Sequence, residues 1–219
     1  MWTDIVWRMD IPSSGVLPGA DGRPRCWWSV GDPLYERYHD REWGRPVKDD
    51  RRIFEKISLE AFQSGLSWLT ILRKREGFRE AFRAFDVRAI SRFDDRSVER
   101  LMRDSRIVRN RAKIEATINN AKRCIELVKE TGSLSRYLWS FEPSSTPRAD
   151  DWGTLVGRPA SQEAKSLSKD LKRRGWSFVG PTTLYSAMES LGLVNDHVTS
   201  CFAWGDVESA RTSFERPAG

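Results

Sequence analysis

The chain has 219 residues, which suits one domain, or one domain with a small lobe, around a sizeable core. Apolar residues make up 39% and charged residues 31%, with 37 Lys and Arg against 31 Asp and Glu, a net charge of +6 that is compatible with a polyanionic partner without requiring one. No apolar run approaches the roughly 20 residues needed to cross a bilayer. Charges also break up Met1 to Asp10, so it does not read as a secretory signal, and three cysteines make no disulfide framework. Membrane and secreted classes are thereby excluded, and a cytoplasmic address is expected.

In chain order, residues 1–24 carry Pro, Ser and Gly clusters and read as a loosely ordered extension. The folded part is expected over 25–202. Ile53, Ile57, Ala61 and Ser64 share one helical stripe, Trp68 to Arg75 continue after a break at Gly65, and Val98, Leu101 and Met102 mark a short helix. A longer one is expected from Ile107 to Val128, with Ile114, Ile118, Ala121, Ile125 and Val128 three and four apart. Residues 142–160, with Pro143, Pro147, Gly153, Gly157 and Pro159, form a loop. Ser161 then caps an amphipathic helix through Ala164, Leu167 and Leu171 that ends at Gly175, and Gly180-Pro181 opens another to about Leu191. Residues 203–219 read as a polar tail. No alternation of period two appears, so the fold class is all-α.

Both histidines stand near a cysteine at metal-ligand spacing: Cys26 with His39, and His197 with Cys201. Two thiolates and two imidazoles form the soft tetrahedral set that one structural Zn2+ prefers, and four protein ligands leave no open position for an activated water. His197 and Cys201, at i and i+4, would share a helix face. A turn at Gly31-Asp32-Pro33 can bring Cys26 and His39 together. Spacing alone leaves open that these are two unrelated histidines and buried thiols. Cys124, between Ala121 and Ile125, reads as core.

Glu60 breaks the pattern, because it falls on the stripe of Ile53 and Ile57 that should face the core. A buried carboxylate is costly unless paired, so either an arginine pairs it or it belongs to a site. Trp27, Trp28, Tyr35, Tyr38, Trp43 and Trp68 all lie within about forty residues of it. Rings plus one carboxylate can hold a flat cationic ring by stacking, cation-π attraction and a directed hydrogen bond. The same tryptophans can equally fill a helical core.

Cys26-Trp27-Trp28, Asp32-Pro33-Leu34-Tyr35, Tyr38-His39-Asp40, Glu42-Trp43-Gly44, Leu59 to Trp68 and Gly192 to His197 resemble the signature stretches of the DNA-3-methyladenine glycosylase I family, as does Leu171 to Gly180. The likeness runs from about Arg25 to Phe202. It implies a helix-hairpin-helix glycosylase fold, a lobe in which zinc staples the chain ends through Cys26, His39, His197 and Cys201, and excision of 3-methyladenine. It also implies that Glu60 and Tyr38 hydrogen-bond the methylated base, Trp68 stacks on it, and Trp28, Tyr35, Trp43 and Ser186 line the pocket. Gly65 and Leu66 would fall in the loop that probes the duplex.

An enzyme acting on a base must extrude it from the stack, and Leu66 can fill the gap. Methylation at N3 makes adenine cationic and a good leaving group, so selection and positioning suffice, with Glu60 mainly a recognition group. From Lys113 to Arg148 there is no aspartate, and no lysine stands out as a nucleophile, which fits a monofunctional hydrolase without lyase activity. Asp104 to Ile114 occupies the place of the DNA-binding hairpin, with Arg106 where a glycine is expected. Arg106, Arg109, Arg111 and Lys113 are phosphate candidates, or a solvated basic face. Phe62 either narrows the pocket or packs outside it. The expected partners are double-stranded alkylated DNA and free 3-methyladenine as product, with the protein a monomer. The alternative is a non-enzymic zinc-stapled protein that binds damaged DNA.

Overall fold

The computed structural model describes residues 12–145, 148–155 and 160–217, and expectations that fall on the other residues, including Met1 to Asp10, Pro147, Gly157 and Pro159, lie outside them. The described chain is mostly helical and separates into two compact units. Of the described residues, one takes in 12–46, 142–145, 148–155, 160 and 188–215, the other 47–141, 161–187 and 216–217.

In the first unit, strands β1 (Val16–Pro18) and β2 (Pro24–Cys26) pair antiparallel, with Val16 opposite Cys26. The absence of a period-two signal is explained by length, since three residues per strand cannot display alternation. Residues 12–24, read as loose, thus include a strand, and Trp27 N–H donates to Gly15 O at 3.1 Å. A single 3-10 turn, Trp27–Ser29, leads into α1 (Pro33–Arg41). Asp32 caps α1 by accepting from Leu34 and Tyr35 N–H, and Pro33 fills the first turn, where no N–H is needed. The short α8 (Trp152–Leu155) and α11 (Ala203–Ser213) complete this unit. α11 departs from the expected tail. Its polar composition hides two buried contacts, Ala203 and Val207, and Arg211 binds the carbonyls of Gly192 and Leu193 at 2.9 Å each.

The second unit holds α2 (Asp50–Gln63), α3 (Trp68–Ala81), the short α4 (Val87–Ile90), α5 (Asp95–Arg103), α6 (Arg111–Thr131), α7 (Leu134–Trp139) and α9 (Gln162–Arg173). α10 (Pro181–Ser190) follows, with its residues up to Ala187 in this unit. Asp49 caps α2, which ends at Ser64 before Gly65, whose φ of +83° favours glycine. α6 begins four residues later than its apolar pattern suggests, because the Asn110 side chain accepts from Lys113 N–H and sets the cap there. Ile107 is still buried, but in the turn. Phe62, Phe78 and Phe82 meet at centroid distances of 4.6 Å (Phe62–Phe78), 5.9 Å (Phe62–Phe82) and 6.2 Å (Phe78–Phe82), so Phe62 is core of this unit.

α6 is the beam of the second unit. Lys113 Nζ donates to Phe62 O at 2.9 Å and Ser64 O at 2.6 Å, holding the loop after α2. Two turns on and on the same face, Asn120 exchanges hydrogen bonds with Ser177, accepting from its N–H and donating to its carbonyl at 2.9 Å each. Adjacent Asn119 donates to Gly175 O at 2.7 Å. One helix face therefore fixes both the Leu66 loop and the loop that follows α9.

Candidate active site and metal centre

In the first unit, the ligand atoms of Cys26, His39 and Cys201 lie within 4.8 Å of one another, all buried, and could hold a metal ion. His39 Nε2 stands 3.4 Å from Cys201 Sγ, close to the roughly 3.5 Å that tetrahedral bonds of 2.0–2.3 Å would impose. His197, the fourth expected ligand, is beside this trio and outside that cluster, its ring centroid 4.8 Å from that of His39. The expected helix across His197 and Cys201 does not form. Asn195 Oδ1 accepts from His197 N–H at 3.3 Å, a local side-chain bond that competes with helix, and Cys201 N–H closes a turn onto Val198 O at 2.8 Å.

The imidazoles test the fit. His39 Nδ1 donates to Asp40 Oδ1 at 2.9 Å and His197 Nδ1 to Asn195 Oδ1 at 3.0 Å, so each ring keeps its lone pair on Nε2. His197 Nε2 is buried with no hydrogen-bond partner among the described residues, and burial pushes the ring's pKa well below its ordinary value, which keeps it a neutral donor. Cys26 beside it holds the Cys201 thiol below its ordinary value, while burial pushes Cys26 up. A soft cation would complete what this set lacks.

Around the imidazoles stands an aromatic cluster. Trp43 lies 4.4 Å from His197 and 4.9 Å from Trp28, and Trp28 lies 5.0 Å from Tyr35 and 5.3 Å from His39, all centroid to centroid. Tyr38 is buried on α1 next to His39. The expected rings Trp28, Tyr35 and Trp43 are thus brought together, backed by metal-type ligands. Gly44, at φ +80°, lets the chain pass His197, where a Cβ would come within 3.0 Å of the imidazole.

Glu60 and Trp68 belong to the second unit. Glu60 is 5% exposed on α2, and burial pushes its pKa up to about 7 against the opposing charge of Lys56. No arginine among the described residues pairs it. Its charged neighbour is Lys56, one turn earlier, with Nζ 4.0 Å from Oε1. The same ammonium sits 4.0 Å from the centroid of Trp68, which is buried at the start of α3. Lys56 is a residue that sequence reading passed over, although its i,i+4 spacing to Glu60 was a signal. Ser186 is half-buried on α10.

Gly65 and Leu66 form an exposed turn, Leu66 being one of two large apolar side chains exposed among the described residues, the other being Phe178. Behind that turn, α5, residues 104–110 and α6 make a helical hairpin. Arg106 is not in the left-handed region, so this turn closes without the expected glycine: Asp104 accepts from Arg106 N–H at 3.0 Å. The glycine it does need is Gly77 on α3, where a Cβ would fall 2.6 Å from that of Arg106, a close approach no motif announced. Arg106 pairs with Asp104 and Glu80, and Arg111 with Glu99 and Glu115, while Arg109 is exposed with no ion pair among the described residues. Lys113 corrects the expectation for it. Its ammonium is buried against the Phe62 and Ser64 carbonyls, so it anchors the loop that follows α2 instead of facing phosphate.

The methyladenine glycosylase family model matches residues 27–204. The DNA-3-methyladenine glycosylase of Haemophilus influenzae is 43% identical over 178 residues, covering 81% of this chain and 96% of that protein, and DNA-3-methyladenine glycosylase 1 of Escherichia coli is 44% identical over 178 residues, 81% and 95%. Among solved structures, a 3-methyladenine DNA glycosylase I is similar with a TM-score of 0.77 at 42% identity, over 81% of this chain and 98% of that one. The Staphylococcus aureus enzyme, solved for its recognition of 3-methyladenine, has a TM-score of 0.77 at 35% identity, over 82% and 96%. A likeness of this extent in both sequence and fold places the chain in the methyladenine glycosylase family.

Proposed function

We propose that this chain is a monofunctional DNA glycosylase that extrudes 3-methyladenine from alkylated double-stranded DNA and hydrolyses its N-glycosidic bond. The observation that carries the reading, beside the names of its relatives, is Glu60: a buried carboxyl in the α2 core stripe with a pKa pushed up to about 7 and a lysine 4.0 Å away as its ion partner. A structural carboxylate would hold closer hydrogen bonds. A recognition group awaits them from its ligand, here the exocyclic amine of the base.

In this reading Glu60 and Tyr38 hydrogen-bond the base, Trp68 stacks on it, and Trp28, Tyr35, Trp43 and Ser186 line its surroundings. Leu66 fills the space left in the duplex, and Arg109 meets phosphate. The bond from the sugar carbon to N9 breaks with its electron pair passing to the cationic ring, which becomes neutral. Water then bonds to the sugar carbon and gives up a proton to solvent. Attraction of Glu60 for the ground-state cation does not itself speed that step, because the charge is lost on the way to the transition state. Its contribution is selection and orientation.

One structural zinc ion is assigned to Cys26, His39, His197 and Cys201, with His197 Nε2 as the fourth donor. Bound there, it would supply a closed tetrahedral crosslink between sequence-distant parts of the first unit and no reacting water. Asp40 and Asn195 hold the two rings with Nε2 available. The zinc-replete protein should release 3-methyladenine from N-methylated duplex DNA, resolved by chromatography, and leave 7-methylguanine in place. Folded, metal-loaded protein that releases no base would refute the enzyme reading.

A further inference from the structure

Trp68 and Glu60 supply the two attractions that a cationic purine needs, a π face and an anion, and in this structure one ammonium holds both. Lys56 Nζ stands 4.0 Å from the Trp68 ring centroid and 4.0 Å from Glu60 Oε1. Its side chain is mostly buried, so this is no loose surface pairing. The three residues lie in one unit, on α2 and the first turn of α3.

On the footing that Glu60 and Trp68 receive the base, we propose that Lys56 is an internal counter-cation that the incoming base must displace, and that it thereby selects positively charged over neutral purines. At rest the ammonium compensates a carboxylate that burial would otherwise neutralise. A base methylated at N3 brings its own positive charge. Lys56 can then swing its flexible four-carbon stem toward solvent, and Glu60 still faces a cation. A neutral adenine brings none: its arrival either strands a bare carboxylate in a desolvated place or forces a proton onto it, and both cost free energy that the cationic base avoids. The discrimination therefore comes from what the site gives up as much as from what it gains, since the occupant already present matches the correct ligand in charge and not the wrong one. Lys56 is a positioning and selectivity residue. It takes no part in breaking the glycosidic bond.

The test compares the full-length, zinc-loaded wild type with Lys56→Met and Lys56→Arg on two otherwise identical duplexes. One carries 3-methyladenine, read by single-turnover excision. The other carries 3-deaza-3-methyladenine, which has the same shape without the charge, read by equilibrium binding. Lys56→Met is expected to tighten binding of the neutral analogue by about tenfold while excision of the cationic base changes less than about threefold, and Lys56→Arg is expected to discriminate as the wild type does. Affinity for the analogue that stays within about twofold in Lys56→Met, or an equal loss on both duplexes, would overturn the proposal and leave Lys56 a structural residue. Loss of discrimination in Lys56→Arg as complete as in Lys56→Met would also overturn it, as charge would then not be the operative property. Should Lys56→Met lower the melting temperature, Lys56→Gln is measured in its place with the same expectations. A wild type that excises nothing would instead refute the functional reading beneath the proposal, an outcome none of the variant comparisons can imitate.

Discussion

His197 in the first unit and Glu60 in the second are both buried polar groups that a ligand could complete, and they differ in what surrounds them. In the first unit the polar groups around the gap are fully committed: Arg25 binds Asp21 and Asp40, Asp40 orients His39, and Asn195 orients His197 while donating to Trp204 O and Glu208. What is missing is a single acceptor for a lone pair, His197 Nε2, and a resident cation would supply it. In the second unit the ion partner of Glu60 among the described residues is a lysine 4.0 Å away, whose ammonium also lies over the Trp68 ring. A group left that loosely held suits a visitor that comes and goes. On the proposed roles, permanent ligation and transient recognition leave different signatures in the hydrogen bonds around them.

The largest effect is expected where the gap is filled permanently. Cys201→Ser, or removal of metal by a chelator, should lower the melting temperature by on the order of 10 °C, corresponding to about 4 kcal/mol for a chain of this size. Because Trp43 and Trp28 pack against the imidazoles, the near-ultraviolet circular dichroism should change in the same titration. An unchanged melting temperature would break the comparison, since the first unit would then be complete without an ion.

Glu60→Gln should move in the opposite direction. A carboxyl with its folded pKa raised to about 7 contributes most to stability at low pH, and that contribution fades as pH rises from its ordinary 4.5 through 7, because the unfolded chain ionises first. The wild type therefore carries a burden above pH 7 that glutamine does not. The variant should match it at pH 4 and exceed it by up to about 3 kcal/mol at pH 8, while excision of 3-methyladenine falls by about a hundredfold. Equal stability at both pH values would mean that Glu60 is ionised and satisfied, like the polar groups of the first unit.

Much of this was legible in the sequence because it rests on scarcity and period. Two histidines and two of three cysteines at matched spacing marked the metal-type cluster, and a carboxylate on an apolar stripe marked Glu60. What escaped was set by single side-chain bonds that leave no periodic trace. Asn110 moved the start of α6, Asn195 kept His197 and Cys201 off a helix, and Asp104 closed the hairpin turn where glycine was expected. Gly77 was invisible for a related reason: its role is defined by the distance to Arg106, far away in sequence. The β1–β2 hairpin was too short to alternate, and α11 too polar to show its buried Ala203 and Val207.

Lys113 gives the smallest effect and the sharpest contrast between reading charge and reading burial. As one of several cations in Arg106 to Lys113 it looks like a phosphate contact, but its ammonium donates to two carbonyls that close α2, and burial pushes its pKa down. At that helix end a cation also meets the negative end of the dipole. Lys113→Met keeps the stem and removes both hydrogen bonds, so stability should fall by about 2 kcal/mol. The Leu66 turn, two residues beyond Ser64, loses its anchor, so excision from duplex DNA should weaken several-fold while binding of free 3-methyladenine, measured by tryptophan fluorescence, stays as it was. A phosphate contact would behave differently. Its loss would leave the melting temperature unchanged and reduce the slope of log affinity against log salt by about one. Measuring stability and salt dependence on the same variant therefore decides whether this lysine serves the loop or the DNA.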